Sequence, residues 1–314
     1  MSIYGYHIPM NVLIALLVIF SVLVVCTIAF GILHKVKESK LSTELLTRVI
    51  SWWWIAGGVA VIVAAPKIFG TIIIAYISFV ALREMFSIGI FRASDRTAMF
   101  FAYFAIPVQF YLAYNNYYAQ FLYFIPLYMF IGVPFILVLT GQTEKIGRSM
   151  SVIPTILIQT VYLLSHLVLF YNIEIEGYES GPGGLLIFLF MITAFNDVFQ
   201  YTWGKLFGRH KILPKVSPNK TVEGFLGGVI SSAGLGYLMY FLTPLEPWQA
   251  LVTGVILSIM GFIGDAIVSA IKRDLGIKDT GNIVPGHGGA MDRLDSILIT
   301  TPIFYHLLIA YISF

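Results

Sequence analysis

Between Ser269 and Asp295 the chain gathers Lys272, Arg273, Lys278 and Arg293 with Asp274, Asp279, Asp292 and Asp295 around a Gly286-His287-Gly288-Gly289 turn. A glycine-rich turn carrying both charge signs can hold phosphate oxygens and a hard metal ion together. Asp265 precedes this island inside an apolar stretch, where a charge costs roughly 2.5–3.5 kcal/mol and needs a partner or a watery cavity. Ser269 and Lys272 follow Asp265 at helical spacing, so the three share one face that leads into the island. Asp292 and Asp295 stand about one turn apart just ahead of the last apolar segment, where carboxylates suit a helix N-terminus. Capping alone would also account for Asp295. His287 could donate to a phosphate oxygen or shuttle a proton.

A second polar segment, 204–221, is basic and contains glycine. Within it Ser217, Lys220 and Thr221 stand directly ahead of an apolar helix whose first N–H groups suit an anion. Ser217 or Thr221 could instead only cap that helix, with Glu223 closing its start. Asp197, next to Asn196, is a further acid near the end of an apolar run, at a depth similar to Asp265 and Asp292. The Arg83-Glu84 dipeptide reads as a packing or interfacial pair, and His166 and His306 as hydrogen-bonded structural histidines. There is no serine elbow, Walker loop or His-x-x-x-His zinc helix.

These residues need elements to position them, and composition says of what kind. Of 314 residues 58% are hydrophobic and only 11% charged, too little polar surface for a water-soluble fold of this size. The mean hydropathy of +0.87 agrees. The expected class is an all-α, polytopic integral membrane protein. A net charge of +3, with no basic face interleaved with aromatics, argues against nucleic acid. Cys26 is the only cysteine, which excludes disulfides within one chain.

Apolar windows predict ten spans, near 10–33, 49–65, 67–87, 97–114, 118–140, 150–172, 184–203, 222–243, 248–271 and 296–314. The first lacks a charged leader and a small-residue cleavage site and reads as a retained helix. With ten spans, all of the 19 Lys and Arg except Lys67 fall on one side. That asymmetry places both termini outside and the two polar loops, 204–221 and 272–295, in the cytoplasm. Polar residues and glycines concentrate after Gly181. Residues 1–180 are thus expected to form a scaffold, with room for lipid access or oligomer contacts, and 181–314 the catalytic region.

Ser269, Lys272, Arg273, Lys278, Asp279, Gly281, Pro285, His287, Gly288, Gly289, Asp292, Arg293 and Asp295 occur in an order and spacing that resembles the signature of the phosphatidate cytidylyltransferase (CDP-diacylglycerol synthase) family. Ser217-Pro218-x-Lys220-Thr221-x-Glu223-Gly224 is similar to that family's second motif. Val284 and Ala290 depart mildly, standing where bulkier apolar residues are usual. The specific resemblance covers about residues 195–296; the N-terminal half matches only as generic membrane helices.

The resemblance implies that CTP and phosphatidic acid are converted to CDP-diacylglycerol and pyrophosphate in phospholipid biosynthesis. It implies Mg²⁺ held by Asp265 and Asp292, with room for a second cation such as K⁺. Lys220, Lys272, Arg273 and Arg293 would neutralise triphosphate and lipid phosphate. Ser217, Thr221, Ser269 and the His287-Gly288-Gly289 turn would bind phosphate oxygens, with Glu223, Lys278, Asp279 and Asp295 also lining the substrates, and Asp197 would shape the cavity. The lipid bilayer is the expected environment, that of a bacterial cytoplasmic membrane, and a homodimer stays open. Two rivals also stay open. A CTP-dependent kinase of polyprenol type would release CDP rather than pyrophosphate. An ion-coupled transporter would use Asp197 and Asp265, but would call for broken polar helices in matched halves.

Overall fold

The computed structural model describes residues 2–3, 6–36, 38–281 and 288–313. A short antiparallel pair, β1 (Ser2–Ile3) and β2 (Tyr6–His7), precedes the helices. These are α1 (Met10–Val36), α2 (Lys40–Ala64), α3 (Lys67–Ile88), α4 (Ala93–Tyr114), α5 (Tyr118–Leu139), α6 (Ile146–Asn172), α7 (Gly181–Phe207), α8 (Val222–Leu238), α9 (Pro247–Asp274) and α10 (Met291–Ser313). Between α7 and α8 lies an antiparallel hairpin, β3 (Lys211–Leu213) and β4 (Ser217–Thr221). Among the described residues nine helices are long and apolar enough to cross a membrane. The protein is an all-α polytopic membrane protein. The tenth expected span is α8, and at 17 residues it is short. At about 1.5 Å per residue it reaches roughly 26 Å, against a hydrocarbon core of about 30 Å.

Local chemistry sets several boundaries. Ser39 caps α2 through a reciprocal bond with Ser42, so that helix begins well before the apolar window at 49. Pro66 divides α2 from α3. Prolines head α7 and α9, where a missing N–H costs nothing. Pro126 lies in a π-helical turn of α5, and Pro154 just precedes another in α6, the usual response of a membrane helix to a proline.

Exposed apolar side chains such as Leu17, Val25 and Ile28 of α1 form the lipid-facing surface. Inside, Phe304 of α10 stacks at 5.4 Å on both Phe170 of α6 and Phe188 of α7. The last four helices pack in chain order, α7 on α8, α8 on α9, α9 on α10. Glycines bring their backbones close. A methyl on Gly236 would lie 2.5 Å from the Ala250 carbonyl oxygen, and one on Gly254 the same distance from that of Ser232. A methyl on Gly264 would overlap the Asp295 carbonyl oxygen. That close crossing sets Asp265 beside the start of α10. Gly264→Ala is therefore expected to destabilise the fold by about 1–3 kcal/mol, the usual range for overpacking. Thermal unfolding of the detergent-purified protein measures it.

Polar side chains bond across the same helices. Asn196 Nδ2 donates to the Ser258 carbonyl at 3.1 Å, and Ser258 Oγ donates back to Asn196 Oδ1 at 2.5 Å. Thr193 donates to Thr300 at 3.1 Å. Asn196 thereby fixes the rotation of α7, and with it the direction of Asp197.

Candidate active site

The β3–β4 hairpin, the C-terminal end of α9 and the N-terminal end of α10 meet at one end of the bundle. Lys220, on β4, extends its Nζ to 2.5 Å from Asp265 Oδ2 on α9. Ser269, one turn further along α9, donates to Asp265 Oδ1 at 3.0 Å, as the shared helical face predicts. Arg273 donates from Nε to the Val216 carbonyl and from Nη1 to the Ile277 carbonyl, each at 3.1 Å. It braces the hairpin against the segment that follows α9.

Lys272 points elsewhere. Its Nζ donates to Asp292 Oδ1 at 2.7 Å, and the two side chains are only 10% and 4% exposed. The other Asp292 oxygen accepts from Thr280 N at 2.8 Å and from Gly289 N at 2.9 Å, with the Thr280 hydroxyl at 3.0 Å. Gly288 adopts φ +83°, and a Cβ there would sit 2.6 Å from Asp292 Oδ2. Only glycine gives both the backbone angle and the space.

Asp197 of α7 accepts from Ser296 Oγ of α10 at 3.2 Å. Asp295 accepts from the Ser296 amide at 2.8 Å. Ser296 thus ties Asp197 and Asp295 to the same turn of α10, which the Gly264 crossing brings against α9. Asp292, the partner expected from sequence, is committed to Lys272 and to backbone donors. Among the described residues no three Asp, Glu, His or Cys side chains are drawn together as a preformed metal cage. The donor set nonetheless suits a hard cation. Asp265 offers carboxylate oxygens of the kind such ions prefer, and the Lys220 ammonium stands against it where a cation would bind.

The remaining expected residues fall as follows. Thr221 caps α8, accepting from Gly224 N at 3.1 Å. Glu223 accepts from the backbone N–H groups of Arg209 and His210 at 3.0 and 3.2 Å, and pairs with the His210 ring at 2.5 Å, so it holds the approach to β3. Ser217 opens β4, and Lys278, Asp279 and Arg293 are exposed around the site. Gly289 is buried with its N–H already given to Asp292. His287 lies outside the described residues. His166 and His306 bond to the Tyr162 carbonyl and the Tyr118 hydroxyl, in keeping with structural roles.

Glu84 and Thr280 are the residues that sequence reasoning missed. Glu84 is 5% exposed on α3 and makes no described pair with Arg83. Instead it accepts from the Thr280 hydroxyl, from Ala290 N at 2.8 Å and from Met291 N at 2.9 Å. A signal existed. Adjacent residues on a helix do not face each other, so Arg83 could not serve as its partner, and an acid in an apolar helix needs one.

A polytopic membrane protein with paired acids and lysines gathered at one end of its helices is the class that fold and site define together. The profile of the cytidylyltransferase family matches residues 46–311, most of the chain, and the chain belongs to that family. It is a membrane nucleotidyltransferase. The uncharacterized protein YnbB of Escherichia coli (strain K12) is 36% identical over 301 residues, 94% of this chain and 97% of that protein. The phosphatidate cytidylyltransferase of Staphylococcus haemolyticus is 42% identical over 136 residues, 42% of this chain and 52% of that enzyme. That of Staphylococcus aureus (strain COL) is 40% identical over a match of the same extent. The matches to these two enzymes span about half of their length.

Proposed function

We propose that this protein transfers a cytidylyl group from CTP to the phosphate of phosphatidic acid, giving CDP-diacylglycerol and pyrophosphate for phospholipid biosynthesis. The observation that carries the reading is the meeting of the Lys220–Asp265 and Lys272–Asp292 pairs with the Ser296 turn that binds Asp197 and Asp295, at the end of a lipid-exposed bundle. Such a site can meet a water-borne triphosphate and a membrane-bound phosphate at once. The likeness to staphylococcal phosphatidate cytidylyltransferases supports the choice of lipid.

A non-bridging oxygen of the lipid phosphate attacks the α-phosphorus of CTP. The bond from that phosphorus to the oxygen leading to the β-phosphate breaks, and pyrophosphate leaves with the electron pair. The lipid phosphate is already anionic at neutral pH, so no proton need be removed and no covalent intermediate is required. Catalysis then rests on positioning and on neutralising phosphate charge. Lys220, Lys272 and Arg293 supply that charge, while Arg273 and Ser269 hold the hairpin and Asp265 in place. Asp265, against which the Lys220 ammonium stands, would hold Mg²⁺, and a bound Mg²⁺ would stabilise charge developing on the phosphates. The excess of Lys and Arg on the site's side supports a cytoplasmic orientation in a bacterial membrane.

Purified protein given phosphatidic acid and labelled CTP, with and without Mg²⁺, is expected to release pyrophosphate and form a cytidine-linked lipid. Release of CDP with a phosphorylated alcohol acceptor would identify a kinase instead. No nucleotide turnover with either lipid would remove the reading.

A further inference from the structure

We propose that Glu84 of α3 is a positioning residue for this reaction, acting through Thr280 and the start of α10. The inference rests on the proposed transfer. It assigns a role in that reaction to the N-terminal half of the chain. The three donors that Glu84 accepts come from both ends of the segment that runs from Thr280 to Met291. Two are the N–H groups of Ala290 and Met291, at the very start of α10. A helix start normally takes a side-chain acceptor from the residue just before it. Here Gly288, Gly289 and Ala290 precede α10, and none has such a side chain. The cap is therefore supplied from another helix.

A methyl on Gly289 would overlap Glu84 Oε1, and one on Gly281 would lie 3.0 Å from Glu84 Oε2. The two glycines make the space that the carboxylate fills, and both oxygens are turned to donors of the chain itself. Glu84 thus holds Thr280 and the start of α10 through its own two oxygens. Thr280 passes the constraint on, since its hydroxyl reaches Glu84 as well as Asp292 and its amide is bound by Asp292. Asp292 in turn fixes Lys272 at 2.7 Å. Loss of the Glu84 oxygens takes the acceptor from the Ala290 and Met291 amides and leaves the Thr280 hydroxyl to Asp292 alone, so the start of α10 must shift to find other partners.

Glu84→Met keeps the volume and removes both acceptors, whereas Glu84→Gln keeps one acceptor oxygen. With the full-length protein in detergent, Glu84→Met is expected to lower kcat on the order of 100-fold, the cost of an ångström-scale misplacement, with a much smaller change in KM for CTP. Glu84→Gln should fall between it and the wild type. Hydrogen exchange at Ala290 and Met291 should accelerate in Glu84→Met and less so in Glu84→Gln. A kcat within twofold of wild type in Glu84→Met, or unchanged exchange at those amides, overturns the proposal. If Glu84→Met does not accumulate, Glu84→Gln decides, and wild-type kcat with unchanged exchange at Ala290 and Met291 overturns it. If the wild type turns over no CTP, the proposed reaction fails and the exchange data alone judge whether Glu84 holds the turn.

Discussion

Asp265→Asn is expected to reduce Mg²⁺-dependent pyrophosphate release on the order of 10³-fold while leaving the fold intact. Asparagine matches aspartate in shape, and it can still accept from Ser269 as Asp265 does at 3.0 Å. What it lacks is the charge that holds Lys220 at 2.5 Å and that would bind a cation. Removing one preorganised charged or polar group from a transition-state site typically costs about 10²–10³-fold. Loss of a bound cation would put this variant at the upper end. Steady-state pyrophosphate release across a Mg²⁺ titration, beside a thermal melt, checks both halves of the statement. Near-normal turnover would remove Asp265 from the site.

Asp292→Ala is expected to act on stability as strongly as on activity. It strands the Lys272 ammonium in a place where that side chain is 10% exposed, and it frees the amides of Thr280 and Gly289 at the same moment. Breaking a buried ion pair from one side costs about 3–5 kcal/mol, because the remaining charge has no partner. Lys272→Met in the Asp292→Ala background should recover part of the stability, since no buried charge is then left alone, and none of the turnover. A double-mutant cycle followed by denaturant unfolding and by pyrophosphate release measures both. Equal stability of the single and double variants would show that Lys272 and Asp292 do not depend on each other.

The contrast between Asp265 and Asp292 shows where sequence stops. Asp265, Ser269 and Lys272 lie on one helix, and helical periodicity alone places them on one face. The structure bears this out for Ser269, while Lys272 leans on to α10. The partner of Asp265 is Lys220, which reaches it only because the β3–β4 hairpin folds against the end of α9. No spacing rule contains that approach. Sequence likewise groups Asp292 with Asp265 by depth, yet the close passage at Gly264 brings the Asp295 backbone, not the Asp292 carboxylate, against α9, and Asp292 goes to Lys272. The helices themselves were legible because apolar windows of about 20 residues have few other uses. Their ends were less so. Ser39 starts α2 in polar sequence, and α8 closes before the apolar window does.

The Glu84 contact also has a consequence for biogenesis. Translation delivers Glu84 long before its donors, with Thr280 following 196 residues later and Ala290 206 residues later. The first three helices can therefore enter the membrane while the groups that will satisfy this acid do not yet exist. A product truncated before Thr280 contains none of them. Closure of this contact waits for the start of α10, so a chain interrupted earlier keeps an unmet carboxyl that the finished fold conceals.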